Sequence, residues 1–223
     1  MQYRHEVKHR INYEDMLVLQ KRTRVIARPD PHAIGGKYFI RSLYFDNMYD
    51  KALRENLAGI SEREKFRIRY YNGDTSEIHL EKKTKKAGLG YKQTANLSHE
   101  EVQRLLLGDY SWMPAKEDPL IQELYNKIIF ECLRPKSIVD YSRQPYIFDA
   151  GNVRVTFDYD IRTTMHTEDF LDWNCTTIPV QDAACILEVK WDNYLPDIIR
   201  DAIQLKGRSQ TAYSKYAASR MYD

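Results

Sequence analysis

Charged and apolar residues alternate along four stretches of this chain, and this alternation predicts β-strands. It runs through residues 65–71, 78–83, 153–160 and 187–192. Successive side chains of a strand point to opposite faces, so each stretch predicts one apolar face and one charged face. Two interpretations of the charged faces remain open. They meet water, as one face of an antiparallel sheet commonly does, or they bind a strongly anionic ligand.

The composition of the charged faces favours an anionic ligand. Arginine recurs at Arg67, Arg69 and Arg154, and its guanidinium matches phosphate oxygens two at a time. Two cations about 6 Å apart repel by roughly 3 kcal/mol at an effective dielectric near 20, so a cluster of such residues needs an anion to neutralise it. Because the net charge of the whole chain is only +2, an anion site must come from local clustering.

Capping residues, turn residues and apolar periodicity divide the chain into strands and helices. The predicted strands are 4–11, 37–46, 64–71, 77–83, 137–148, 152–159 and 184–191. The predicted helices are 12–28, 48–57, 98–108, 119–133, 195–205 and 210–222. Turns at 72–74 and 149–151 are expected to join strands as hairpins, and the lysine-rich segment 82–93 is expected to be a loop.

These elements predict an α+β fold in one domain spanning 1–223, since no Pro-, Gly- or Ser-rich linker divides the chain. The strands are expected to pair mostly antiparallel, because their half-charged pattern does not suit a buried parallel sheet. The helices need apolar sheet faces to cover, and each strand offers only one. We therefore expect the apolar faces to pack outward against helices and the charged faces to point inward. The sheet would then close into an antiparallel barrel with a polar, basic lumen.

The cysteines and the apolar content predict the cellular compartment. Cys132, Cys175 and Cys185 are too few and too widely spaced for a disulfide framework or a CxxC metal site, and they predict a reducing environment. Residues 1–10 lack the apolar core of a signal peptide, and nowhere do 18 apolar residues run together. A cytoplasmic protein without a membrane segment is the expectation.

Short motifs along nearly the whole chain carry a resemblance to a known family. They are EVKH (6–9), SLYFDN (42–47), KFRIRYY (65–71), LEKKT (80–84), DYSR (140–143), VRVTFD (153–158), LEVK (187–190) and SKY (214–216). In this order and spacing, they resemble the polyphosphate polymerase (VTC) domain family, a branch of the CYTH-like triphosphate tunnel metalloenzymes. The resemblance implies a closed tunnel of about eight antiparallel strands, with basic residues inside and helices packed outside.

The resemblance also implies roles for individual residues. Lys8, Arg67, Arg69 and Glu188 would be catalytic, with Lys8 near the transferred phosphoryl group, the two arginines on triphosphate oxygens and Glu188 on a divalent metal. The residues implied to bind substrate are Lys65, Lys83, Lys92, Tyr141, Arg143, Arg154, Lys190 and Lys215. Mn²⁺ or Mg²⁺ suits a site made of a carboxylate and phosphates, and Asp158 and Asp160 are expected to assist it.

The implied reaction is transfer of the terminal phosphoryl group of ATP to a growing polyphosphate chain. ATP and polyphosphate, or another triphosphate, would be the partners, without nucleic acid. Arg4 stands where hydrolytic relatives carry the first glutamate of a Glu-x-Glu-x-Lys motif, which favours the polymerase branch. Gln93 stands where another basic residue is expected. A tunnel triphosphatase and a non-catalytic module that binds polyphosphate or nucleotide remain the alternatives.

Overall fold

The computed structural model of this chain describes residues 4–180, 185–205, 207 and 210–222. The strands are β1 (His5–Ile11), β2 (Arg28–Pro29), β3 (Tyr38–Asp46), β4 (Arg63–Tyr71), β5 (Asp74–Lys86), β6 (Leu89–Leu97), β7 (Arg134–Phe148), β8 (Val153–Thr164), β9 (Ile178–Pro179) and β10 (Cys185–Trp191). The helices are α1 (Tyr13–Ile26), α2 (Lys51–Leu57), α3 (His99–Leu106), α4 (Pro119–Phe130), α5 (Asp197–Ala202) and α6 (Lys215–Ser219). Every predicted strand and helix has a counterpart, although the predicted strand start at Ala184 lies outside the described residues.

The strands form one curled antiparallel sheet in the order β1-β10-β8-β7-β3-β4-β5-β6. The two short strands lie off this path, with β2 paired to β7 and β9 paired to β8. The expectation of a closed barrel is wrong, because over the described ranges no ladder joins β1 to β6. The two edges meet only at one antiparallel bridge between Arg4 and Gly90, with N···O distances of 3.3 and 3.4 Å. The sheet is therefore a half-barrel of eight main strands, and in the described part of the chain its edges share a single backbone bridge.

The apolar faces of the strands pack against helices, as the alternation predicted. Phe66, Ile68 and Tyr70 of β4 are buried in a core that also contains Val102 of α3 and Leu124 of α4. A second core combines strand residues Val155, Phe157, Leu187 and Val189 with helix residues Met16, Leu19 and Ile199. The charged faces of β4, β8 and β10 consequently lie on the other, concave side of the sheet.

Helix α6 departs from the expected arrangement, because it lies on the concave side. The ring of Tyr216 stacks on Tyr44 of β3, with centroids 5.3 Å apart. The Tyr216 hydroxyl donates to buried Asp46 at 2.8 Å, and Asp46 also accepts the backbone N–H groups of Ala52 at 2.8 Å and Leu53 at 3.0 Å. Asp46 thus ties α6 to the first turn of α2, and α6 covers part of the inner face.

The lysine-rich segment is strand rather than loop, which corrects the prediction for 82–93. β5 continues to Lys86, the chain turns at Ala87 and Gly88 with φ of 48° and 83°, and β6 begins at Leu89. Carboxylates from other elements offset the repulsion between the lysines. Lys83 contacts Glu6 of β1 at 2.9 Å. The segment can therefore extend, and it delivers further cations to the concave side.

Other local predictions are confirmed. The hairpin between β4 and β5 turns at Asn72 and Gly73, both at positive φ, as a two-residue turn requires. Asn12 caps α1 and Ser98 caps α3, each with a reciprocal carboxylate three residues later. The three cysteines are free thiols. Among the helices that the structure describes, none is long and apolar enough to cross a membrane.

Candidate functional site

The concave side of the sheet encloses a cavity of about 1170 Å³. The twelve residues to which the resemblance gave a catalytic or substrate-binding role all line it, and these are Lys8, Lys65, Arg67, Arg69, Lys83, Lys92, Tyr141, Arg143, Arg154, Glu188, Lys190 and Lys215. They come from strands spread across the sheet and from α6, so folding brings together residues far apart in sequence. The position of these side chains is thus known, and the role of each toward a ligand stays a prediction.

Glu188 lies among cations where β10 pairs with β1. Its carboxylate contacts Lys190 directly and lies 3.6 Å from Arg143 Nη2 and 3.8 Å from Lys8 Nζ. The side chain is only 5% exposed. Burial acts to raise the pKa of Glu188, but the ammonium groups of Lys190 and Lys8 outweigh it and hold that pKa well below its usual range. Glu188 is therefore an ionised carboxylate at neutral pH.

Glu6 is a second cavity carboxylate, which the sequence analysis did not assign to the site. It accepts a hydrogen bond from Lys83 Nζ at 2.9 Å and lies 3.2 Å from Lys8 Nζ and 3.6 Å from Lys190 Nζ. Burial and Glu188 raise its pKa, while Lys8, Lys83 and Lys190 lower it to about 2. The signal for Glu6 was present in β1, where it alternates with His5 and Val7 two residues before Lys8.

Glu81 anchors the two arginines of β4 and was also missed as a site residue. Arg67 Nε donates to it at 2.8 Å, Lys92 Nζ donates at 3.1 Å, and Arg69 Nε lies 3.5 Å away. Burial opposes ionisation of Glu81, but Arg67 and Arg69 hold its pKa far below the usual range. This carboxylate fixes the orientation of both guanidinium groups before any ligand arrives.

Asp158 has the same function for Arg143 and Lys215. Arg143 binds it through two hydrogen bonds of 2.7 Å, and Lys215 Nζ donates to the same carboxylate. Asp158 is completely buried, and Arg143 and Lys215 lower its pKa to about 2 against the effect of burial. Asp160 was expected to assist the metal site together with Asp158, but it is exposed. Its φ of 51° accompanies a register shift between β7 and β8 that turns it away from the cavity.

Three lysines lie directly opposite one another on β4, β5 and β6, namely Lys65, Lys83 and Lys92, and we call them the lysine row. Lys65 Nζ donates to Ser214 Oγ at 3.1 Å, and over the described residues no carboxylate lies within 4 Å of it. Burial and the neighbouring charges of Arg63 and Lys8 lower the pKa of Lys65 to about 7. Burial and Lys8 likewise lower the pKa of Lys83 to about 8. The row is destabilised by mutual repulsion, which an anion would relieve.

Tyrosine rings hold several of the cations in place. Tyr44 accepts a hydrogen bond from Arg67 Nη1 at 3.2 Å, and Tyr71 accepts one from Arg69 Nη1 at 2.9 Å. Lys215 Nζ lies 4.5 Å from the ring centre of Tyr141. Hydrogen bonds and cation–π contacts of this kind position a charge without adding a negative charge of their own. Tyr44 and Tyr71 were not identified from the sequence.

The cavity carboxylates fit one kind of metal. Glu6 and Glu188 are hard oxygen ligands, and Mg²⁺ and similar ions are commonly bound by one or two carboxylates together with substrate phosphates. No group of three metal-ligating side chains occurs within the described ranges. Two carboxylates fit a divalent ion that substrate phosphates hold in part.

Several solved structures share this fold. A protein from Bacillus halodurans, provisionally described as an adenylate cyclase, superposes with a TM-score of 0.53 and 14% identity, covering 85% of this chain and 80% of its own. A protein from Pyrococcus horikoshii gives a TM-score of 0.47 at 16% identity, covering 92% of both chains. At these identities, the likeness concerns the fold alone. No functionally curated protein matches the sequence.

The family itself is settled by the sequence. The model of the VTC domain matches residues 3–222, which include every strand, every helix and every cavity residue named above. This match confirms the resemblance that the short motifs indicated. The chain belongs to the VTC domain family.

Proposed function

We propose that this chain is a metal-dependent polyphosphate polymerase that transfers the terminal phosphoryl group of ATP to a growing polyphosphate chain. The observation that carries the proposal is the convergence of lysines and arginines from several strands in one cavity, where buried carboxylates neutralise them only in part. Membership of the VTC family supports a function related to triphosphates or polyphosphate.

Unsatisfied donors in the cavity support phosphate binding. The Nε atom of Arg154 is buried and lacks a hydrogen-bond partner, and the buried Nε of Arg69 has only a long contact of 3.5 Å with the Glu81 carboxylate. A buried donor left unpaired costs about 1–3 kcal/mol, so an arriving phosphate oxygen would recover that free energy. Arg69 keeps its Nη1 contact with Tyr71, which leaves its orientation fixed while it binds.

The transfer step asks little covalent chemistry of the protein. A terminal oxygen of the polyphosphate chain forms a bond to the γ-phosphorus of ATP, and the bond from that phosphorus to the bridging β,γ-oxygen breaks. The electron pair leaves on ADP. The attacking oxygen is already ionised at neutral pH, so no general base is required. Lys8, Lys65 and Lys83 neutralise charge around the phosphoryl group being moved.

Glu188, with Glu6 beside it, would hold Mn²⁺ or Mg²⁺ against the phosphates. A bound divalent ion supplies neutralisation of phosphate charge. The lysines that now contact these carboxylates would transfer their contacts to phosphate oxygens when substrate enters. Lys190 and Lys8 thereby link metal binding to phosphate binding.

Hydrolysis of a triphosphate is the second candidate function, and one observation favours it. Glu6 and Glu188 both line the cavity, so more carboxylate is present to orient a water molecule than the sequence motifs indicated. The triphosphate and the metal ion would be bound in the same way, and water would attack the terminal phosphorus. The two functions differ only in the acceptor.

Incubation with ATP and Mn²⁺, followed by separation of the products on a gel, tests the proposal. Chains longer than three phosphates, together with ADP, are the expected products. Orthophosphate without chains would reject polymerisation in favour of hydrolysis. Binding of ATP without formation of any product would indicate a non-catalytic module that binds nucleotide.

The proposed reaction and the free cysteines suggest the partners and the cellular location of the protein. ATP and polyphosphate, or another triphosphate, are the proposed partners, and nucleic acid is not among them. We place the protein in the cytoplasm, where a reducing environment keeps thiols such as Cys132, Cys175 and Cys185 free, as they are here.

A further inference from the structure

The cavity changes character along β4 and β5. The cavity-facing residues of β4 run from basic to aromatic, in the order Arg63, Lys65, Arg67, Arg69 and Tyr71. Their partners on β5 run in parallel from Lys85 and Lys83 through Glu81 to His79, and the cavity then continues past Glu77 and Asp74. The cavity is therefore cationic at one end and aromatic with carboxylates at the other.

The aromatic end is a connected group of side chains, which we define as Tyr38, Tyr71 and His79. The rings of Tyr38 and Tyr71 lie 5.7 Å apart edge to face, and those of Tyr71 and His79 lie 6.3 Å apart in the same geometry. Backbone contacts fix the two strands here, since Asn72 N–H donates to the carbonyl of Phe39 at 2.8 Å. All three rings line the cavity.

Carboxylates surround the aromatic end. Asp30 accepts a hydrogen bond from Arg154 Nη2 at 2.8 Å, and burial together with Asp30 raises the pKa of Tyr38 to about 12. Asp74 and Glu77 also line the cavity at this end. Phosphates are repelled by carboxylates, whereas sugar hydroxyls and base amino groups donate hydrogen bonds to them. This end suits the uncharged part of a nucleotide.

The geometry points to a nucleoside-binding site at the aromatic end, which orients ATP with its triphosphate toward the lysine row. The inference rests on the proposed function and adds where the base and sugar lie. Lys65 and Tyr71 are six residue steps apart on β4, about 20 Å at the usual rise, which is enough for an extended nucleoside triphosphate. A base would stack on Tyr38, since the Tyr71 hydroxyl is already bonded to Arg69, and every base can make such a contact.

Arg69 and Arg154 lie between these ends. Arg69 is held by the Tyr71 hydroxyl, and Arg154 is held by Asp30. Each is therefore anchored to the aromatic end through an Nη atom. The buried Nε of Arg154 has no hydrogen-bond partner, and that of Arg69 has only the Glu81 carboxylate, 3.5 Å away. A nucleotide in the proposed orientation brings its phosphates past both donors. In the reverse orientation, the uncharged nucleoside would lie among Lys65, Lys83 and Lys8, whose repulsion it does nothing to relieve.

Binding of ATP and of inorganic tripolyphosphate, measured by calorimetry in the same magnesium buffer, tests the inference. We expect Tyr38→Leu to weaken ATP binding about tenfold, since one base stack is lost, and to change tripolyphosphate binding less than about twofold. Tyr91→Leu is the matched control, because Tyr91 lines the cavity beside Lys92, away from the aromatic end, and should leave the ratio of the two affinities unchanged.

The outcomes separate this inference from the function on which it rests. If tripolyphosphate binds but Tyr38→Leu leaves the affinity ratio unchanged, the nucleoside site is rejected and the proposed function stands. If tripolyphosphate does not bind to the wild-type protein, both are rejected.

A second measurement needs no variant, which matters if Tyr38→Leu does not fold. The wild-type protein is photolabelled with 8-azido-ATP, digested and mapped by mass spectrometry, with excess ATP as competitor. We expect competed label in peptides containing 30–38 or 71–79. Competed label confined to 56–65 or 85–92 would place the base at the cationic end and overturn the inference.

Discussion

At the scale of single residues, the cavity is organised by buried carboxylates that each serve several cations. Glu81 holds Arg67 and Lys92, and Asp158 holds Arg143 and Lys215. Removal of one member of such a group leaves the others buried and uncompensated, which costs more than a surface ion pair is worth. The cations are thus oriented in advance, and a phosphate ligand does not have to order them. Such preorganisation is the main contribution a protein makes to phosphoryl transfer.

Substitution of Glu188 distinguishes an enzyme from a module that binds polyphosphate or nucleotide without catalysis. We expect Glu188→Gln to lower turnover about 100-fold, because a neutral amide holds a divalent ion poorly. Binding of tripolyphosphate without metal should persist or strengthen, since one negative charge leaves a cationic cavity. Steady-state kinetics and calorimetry on the same preparation measure the two effects.

Asp160→Asn is the control for that substitution, because Asp160 is exposed, faces away from the cavity and has a φ that asparagine tolerates. Asp160→Asn should change neither turnover nor the affinity for tripolyphosphate. Equal turnover in wild type and Glu188→Gln would contradict the metal role of Glu188.

The lowered pKa of Lys65 predicts how tripolyphosphate binding depends on pH. With a pKa of about 7 in the folded protein, it loses its charge as pH rises from 6 to 9, whereas an exposed lysine stays protonated over that range. Tripolyphosphate affinity should therefore fall over this interval. Lys65→Arg keeps the charge at every pH, so its affinity should fall less steeply. Identical pH profiles for the two proteins would show that Lys65 does not titrate in the cavity.

At the scale of elements, the register of neighbouring strands decides which residues share the cavity. β10 places Glu188 opposite Lys8 of β1, and it places Lys190 opposite Glu6 and Arg154. A shift of one residue would turn all of them to the apolar side. The turn before β8 helps to hold this register, since the Asp192 N–H donates to the carbonyl of Gly151 at 3.1 Å.

Substitution of Gly151 tests whether the turn before β8 constrains the structure. Its φ is 75°, and a Cβ atom would lie 2.5 Å from the Tyr194 carbonyl oxygen and 3.3 Å from Pro196. Gly151→Ala should lower the free energy of unfolding by about 1–2 kcal/mol for the backbone conformation and by a further 1–3 kcal/mol for the overlap. Chemical denaturation measures the change.

Gly59→Ala is the matched control, with a φ of 67° and open space around the site of a Cβ atom. It should show only the smaller, conformational part of the loss. Equal losses in the two variants would mean that the contact with Tyr194 does not constrain the turn.

Sequence alternation predicted which strand faces are charged, because that property is local and has a period of two. Their inward direction was inferred from the helices, which need the apolar faces of the sheet to cover. Arg67, Arg69 and Arg154 were placed correctly for this reason. Glu6 and Glu81 were missed because their importance comes from partners on other strands. Asp160 was misplaced because a register shift breaks the alternation where no Gly or Pro marks it. The strand at 82–93 was read as a loop because the carboxylates that neutralise its lysines lie elsewhere in the sequence.

At the scale of the whole molecule, a chain with a net charge of only +2 places a cluster of lysines and arginines on the inside of a curled sheet. Within the described ranges, one backbone bridge between Arg4 and Gly90 joins the two edges of the half-barrel, and α6 covers part of the inner face. Clefts lined by charge of one sign and walled by protein focus the electric field and attract oppositely charged ligands, an effect that added salt weakens. Under the proposed function, this local cluster of cations would attract polyanions to the cavity although the chain as a whole is nearly neutral.

A crystal structure with a non-hydrolysable ATP analogue and Mn²⁺ tests this account most directly. We predict phosphate oxygens within hydrogen-bond distance of Arg67, Arg69 and Lys83, and Mn²⁺ against Glu188. An analogue bound on the outer surface of the protein, with the cavity side chains unchanged from the contacts described here, would contradict the account.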